Sequence, residues 1–219
     1  MVRGWKIVNK ERNHNSRYPK MYCGNGWSFG NEILYEMCRK NPDHNKADVI
    51  VGKIWLIGRS YAAAIERRKN VNETDSGDDF YFNVVAPKML KAGEELDMRI
   101  NELKKYDTIT IDNLKEIIDT HLFLTNVFSD ISGHNNRSLA SKYLHFHVPN
   151  MFYIFDSRAI QGAKSYVMPD KQLRASLAPF GDKEYIELVI RLFTFQEHVK
   201  SPFGMTVTPR VIDSFLLNY

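Results

Sequence analysis

Lys142 and Asp156 are the side chains of this sequence best placed to do chemistry together, an amine and a carboxylate separated by a short apolar link. They lie in Arg137-Ser-Leu-Ala-Ser-Lys-Tyr-Leu-His-Phe-His-Val-Pro-Asn-Met-Phe-Tyr-Ile-Phe-Asp-Ser-Arg-Ala159. A carboxylate aimed at a sugar carbon stabilises the positive charge that develops as an N-glycosidic bond breaks. An unprotonated amine nearby can attack that carbon and form an imine, which permits later strand cleavage. Both residues also have a plain structural use, since aspartates cap helices and lysines occupy solvated helix positions.

The elements that must hold this pair follow from local rules. Lys142 ends a run of good helix formers, and Pro149 disfavours helical backbone at Val148, so its helix should stop there or just before. Met151, Phe152, Ile154 and Phe155 form an apolar run too short for a helix. Asp156 or Ser157 can accept hydrogen bonds from the first amides of a following helix and so cap it.

Helix, apolar link and capped helix in this order resemble the helix-hairpin-helix DNA glycosylase superfamily, in particular its 8-oxoguanine-glycosylase-like branch. There a hairpin leads into a lysine-bearing helix, and a proline-containing link delivers an aspartate to the next helix N-terminus. The resemblance implies Lys142 as covalent nucleophile and Asp156 as the supporting carboxylate. The family hairpin carries two glycines; Ile131-Ser132-Gly133-His134-Asn135-Asn136 keeps the first, with Asn135 or Asn136 left to take the left-handed conformation of the second. The separation of lysine and aspartate is also a few positions shorter than the family's. The amides from Gly133 through Ser138, with Asn135, Asn136 and Arg137, suit a DNA phosphate, and Arg158 is a further contact. On this resemblance the protein is expected to be a monomeric DNA glycosylase without a cofactor. It would excise an 8-oxoguanine-like base, or an unusual base of foreign or phage DNA, in repair or antiviral defence, with an AP-lyase step through Lys142.

Composition agrees with such a partner without requiring it. The 219 residues are 43% apolar and 26% charged, ordinary for a soluble globular chain, with a net charge of +4 and pI near 8.9. Basic charge gathers near the N-terminus at Arg3, Lys6, Lys10, Arg12, Arg17 and Lys20, either a backbone-binding arm or a solvated extension. Asn70 to Asp79 is acidic and should face away from DNA. Cys23 and Cys38 are too few for a disulfide framework or a four-cysteine metal site, and no apolar run suits a bilayer. A cytoplasmic protein without a membrane role is expected.

Apolar residues recur at helical spacing along most of the chain, which predicts an all-α fold. Ile54, Ile57, Tyr61, Ala64 and Ile65 mark a helix starting near Ala47 and closing on Glu66, Arg67 and Arg68. Leu114 to Thr125 forms a second, with Asp112 as cap, and Tyr185 to Phe193 a third. Thr208-Pro209 pairs a cap with a proline at the first helical position. Between Phe80 and Tyr106, Pro87 and Gly93 favour two helical pieces over one. Residues 1–46 read as a basic, partly irregular segment packed on a glycosylase-like helical domain at 47–219.

Base recognition requires a flipped nucleotide held by aromatic or apolar groups and read at its edge. Trp27, Trp55, Arg59, Tyr61, Phe193 and His145 are the candidates, although aromatics on a helical stripe are usually core. His145 and His147 point about 200° apart on a helix and make a poor metal pair, so no metal is expected. Two other classes remain: a helical DNA-binding module without chemistry and, third, a helical nuclease.

Overall fold

The helical spacing is realised as α1 (Ser28–Lys40), α2 (Ala47–Ser60), α3 (Gly77–Phe80), α4 (Ala86–Leu103), α5 (Leu114–Ser132), α6 (Arg137–His147), α7 (Ser157–Tyr166), α8 (Lys171–Leu177), α9 (Lys183–Phe203) and α10 (Pro209–Leu217). The structure, a computed structural model, describes residues 28–68, 77–203 and 207–217; among these all regular structure is helical and no strand occurs. The basic arm, Trp27 and most of the acidic stretch lie outside the described residues.

α6 is the axis of the site. It packs against α1, α2 and α5, and every residue from Leu139 to His147 is buried. α6 stops at His147 with Val148 as its cap residue, where Pro149 requires it to stop. α7 then packs on both α9 and α10. A Cβ added at Gly162 of α7 would stand 2.8 Å from a Leu216 methyl, so glycine at that position lets α10 approach closely.

Several elements differ from the sequence-based expectation for local reasons. α1 occupies part of the segment expected to be irregular; its buried stripe is only Asn31, Leu34 and Cys38, of which Leu34 alone is strongly apolar. α2 ends at Ser60 instead of running to Arg68, because Ala62 adopts a left-handed φ of 52° and Ile65–Arg68 forms a separate tight turn. Asn113, not Asp112, precedes α5, and its side chain closes the loop by accepting from the Thr110 amide and donating to the Thr108 carbonyl. The two pieces expected around Pro87 exist but are joined without a gap. Tyr81–Val85 is a π-helical turn, and its wider ring accommodates the proline that would clash in an ordinary turn.

Gly93 does not simply weaken α4. A Cβ there would meet the His44 carbonyl at 2.5 Å, so the glycine admits the loop between α1 and α2 against α4. That loop anchors a buried polar network. His44 bonds Asp97 through Nδ1 at 2.5 Å and pairs its Nε2 with the Tyr143 hydroxyl at 2.7 Å. Lys53, fully buried in α2, donates to the Asn41 and Asp43 carbonyls, and burial brings its pKa down to about 8. The His147 ring lies 5.0 Å from that of His44, with neither nitrogen hydrogen-bonded.

Candidate functional site

Lys142 is buried, with 3% of its surface exposed. Its Nζ donates to Ser138 Oγ at 2.9 Å, one turn back on α6, and to the Tyr61 carbonyl at 3.2 Å. Tyr61 is the residue at which α2 terminates. The negative end of the α2 dipole therefore faces the lysine and favours its charged form. The left-handed turn at Ala62 is what ends α2 there and leaves the Tyr61 carbonyl available.

Asp156 caps α7 in extended backbone, its Oδ1 accepting from the Ala159 amide at 2.8 Å. Its placement beside α6 is set by two serines. Ser138 donates to the Phe155 carbonyl at 3.0 Å, and the Phe155 amide donates to Ser141 Oγ at 2.9 Å. Both main-chain groups of the residue before Asp156 are thus fixed to the helix that carries Lys142. Lys142 and the residue before Asp156 are thus tied to the same side chain, that of Ser138.

A third group joins them from α10. Asp213 is 3% exposed; Arg210 bonds its Oδ2 at 3.1 Å, while its Oδ1 is buried without a hydrogen-bond partner. Burial, reinforced by the negative charge of Asp156, pushes the Asp213 carboxyl up to about 7 against the opposing pull of Arg210 and Lys142. Arg210 also donates to the Tyr61 hydroxyl at 3.2 Å, which in turn donates to Asn31 Oδ1 at 2.5 Å. From sequence Arg210 and Asn31 were not singled out, and Asp213 was named only as an acid with which Arg158 could pair; its partner is Arg210. The available signal was periodic: Pro209, Ile212, Asp213 and Leu216 are all buried at helical spacing, so a carboxylate stands on an otherwise apolar face.

The remaining candidates are distributed as follows. Gly133 takes the expected left-handed φ of 74° after α5, whereas neither Asn135 nor Asn136 does; no second left-handed residue follows it in this connection. Asn136 is instead buried, donating to Ser132 Oγ at 2.6 Å and to the His134 carbonyl at 3.0 Å. Asn135 is exposed, and its Oδ1 accepts from the Arg137 amide at 3.0 Å. Arg137 makes two 2.8 Å bonds to the Asp182 carboxylate and one of 2.9 Å to Glu184. Its guanidinium ties the start of α6 to the start of α9. Arg158 is exposed on the first turn of α7.

Trp55 is 43% exposed on α2, with the Arg59 guanidinium 5.6 Å from its ring; Arg59 also pairs with Glu66 at 2.6 Å. Tyr61 faces the site, its ring 5.8 Å from Lys142 Nζ, while Phe193 is core. His145 is fully buried: Nδ1 donates to the Phe152 carbonyl at 2.8 Å and Nε2 accepts from the Tyr35 hydroxyl at 2.7 Å. That pattern needs a neutral ring, and burial lowers its pKa to about 4. His145 thus buttresses α6 from beneath.

Among the described residues no group of three His, Cys, Asp or Glu side chains is arranged to hold a metal, and no helix is long and apolar enough to cross a membrane. No family model, curated protein or solved structure matches the chain.

Proposed function

We propose that this protein is a DNA glycosylase of the helix-hairpin-helix kind, with Lys142 as nucleophile and Asp156 as the carboxylate that steadies the sugar. The observation that carries this reading is the clamp: Ser138 and Ser141 fix the backbone before Asp156 against the helix that bears a buried Lys142. A lysine and a carboxylate with purely solvated roles would need no such support. In the reaction, Asp156 stabilises the oxocarbenium character that grows at the anomeric carbon as the base departs. The Lys142 amine attacks that carbon, and ring opening gives an imine. The exposed Gly133, His134 and Asn135 between α5 and α6 are where a DNA phosphate would be met, a sequence-independent grip. An oxidised guanine or an unusual base of foreign DNA is the substrate class, in repair or defence.

Borohydride trapping on oligonucleotides carrying 8-oxoguanine, uracil, hydroxymethylated cytosine or an abasic site tests this. The expected result is a covalent adduct with the wild type that is lost in Lys142→Gln. Release of base without an adduct retires the lysine and keeps Asp156. A second reading, a helical DNA-binding module without chemistry, draws on the burial of Lys142; binding with neither adduct nor release identifies it.

A further inference from the structure

The Ser138 hydroxyl carries one hydrogen, and it donates that hydrogen to the Phe155 carbonyl at 3.0 Å. Toward Lys142 Nζ, 2.9 Å away, Ser138 Oγ can therefore only accept. The second acceptor is the Tyr61 carbonyl at 3.2 Å, a main-chain oxygen at the end of α2. A lysine nitrogen is tetrahedral. Once its bond to Cε and two of its N–H bonds have fixed directions, the third hydrogen of the ammonium, or the lone pair of the neutral amine, has one direction left. Ser138 and Lys142 stand one turn apart on α6, so the serine that sets this direction shares a rigid helix face with the amine.

Resting on the glycosylase reading, we propose that Ser138 is a positioning residue of the reaction: with the Tyr61 carbonyl it holds two hydrogens of the Lys142 amine and so aims the lone pair. Its other bond fixes the main chain just before Asp156, so one hydroxyl sets the aim of the amine and the place of the carboxylate together. In the reaction the ammonium gives its third hydrogen to water, and the lone pair along that direction makes the bond to the anomeric carbon. The electron pair of the glycosidic bond leaves with the base, which takes a proton from water.

Ser141 supplies the contrast. It accepts from the Phe155 amide at 2.9 Å and donates to the Ser138 carbonyl at 3.0 Å, so both its bonds run to main chain and it serves the link to Asp156 alone. The charged and titratable groups that share the surroundings of Lys142 are Asp156 at the start of α7, Asp213 and Arg210 on α10, Tyr61 after α2 and Tyr35 on α1. All of them are kept when Ser138 or Ser141 is replaced, so a difference between the two variants reports the acceptor at the lysine.

Single-turnover reductive trapping on a preformed abasic oligonucleotide, from pH 5 to 10, tests the proposal. The wild-type rate should rise with pH as the ammonium gives up its proton, then level off. Ser138→Ala removes an acceptor that stabilises the ammonium, so its limb should move to lower pH by about one unit. Its plateau should fall by roughly 100-fold, because the lone pair is no longer aimed. Ser141→Ala should lower the plateau and leave the limb at the wild-type pH. A Ser138→Ala limb at the wild-type pH overturns the proposal, whatever the plateau, and so does an equal displacement in Ser141→Ala, which would assign the effect to the link. A wild-type profile without a limb overturns it as well. If Ser138→Ala does not fold, Ser138→Cys, whose thiol is a weak acceptor, is read in its place. Those results leave base release by the wild type intact; failure of the wild type both to trap and to release any tested base overturns the glycosylase reading itself, and this proposal with it.

Discussion

Asp156 has one oxygen committed to the Ala159 amide, so the cap and the role proposed for it at the sugar can be tested separately. Asp156→Ala removes the cap and should cost about 1 kcal/mol in urea unfolding, together with base release. Asp156→Asn keeps an oxygen for the Ala159 amide and should unfold within about 0.5 kcal/mol of wild type, because asparagine caps as well as aspartate. Its base release should still fall by at least about 100-fold, since the stabilising charge is gone. Release at the wild-type rate in that variant would remove Asp156 from the mechanism. The places of Lys142 on α6 and of Asp156 before α7 were legible because their signals are local: a proline that ends a helix, and a short carboxylate that begins the next. Asp213, Arg210 and Asn31 were not, because only the closed fold brings α10 and α1 to them. What the sequence did carry was an acid at a core position, in the same way that Lys53 stands between Ile50, Ile54 and Ile57 on the buried face of α2.

At the level of elements, start and stop positions fixed by proline or a side-chain cap agree with expectation: α6 ends at His147, Asp156 precedes α7, and Thr208 with Pro209 opens α10. Boundaries fixed by tertiary contact do not. α2 stops early at a left-handed alanine, a conformation no alanine announces. α1 was hidden by its weak apolar stripe and glycine-rich neighbourhood. Gly93 shows the same limit, since its purpose is visible only with the His44 carbonyl beside it. Gly93→Ala should therefore destabilise the fold by roughly 1–3 kcal/mol, because the loop backbone must move off α4. That outweighs the gain in helix propensity, about 1 kcal/mol. A variant more stable than wild type in urea unfolding would show that the loop yields freely.

Across the whole molecule, buried histidines set the response to acid. Burial lowers His44, His121 and His145 to about 4 and His147 well below its ordinary 6.5. The folded protein keeps them neutral, while the unfolded chain takes up protons once the pH falls below about 6.5. Stability present above pH 6.5 is therefore lost progressively toward pH 4, at up to about 1.4 kcal/mol per pH unit for each histidine. Circular dichroism should record a cooperative loss of helix in that window; undiminished stability at pH 4 would mean the rings are protonated in the folded state. The order in which such a chain rebuilds itself is set by the reach of its site contacts. Arg210 meets Tyr61 across 149 residues, Tyr35 meets His145 across 110, and Lys142 meets Tyr61 across 81, whereas α5 and α6 are neighbours in sequence. Loop closure of that length is paid before it is rewarded, so contacts of this kind form late in folding. A partly folded chain with α5 and α6 docked would hold Lys142 without the Tyr61 carbonyl, and the lysine would gain that acceptor only with the last closure.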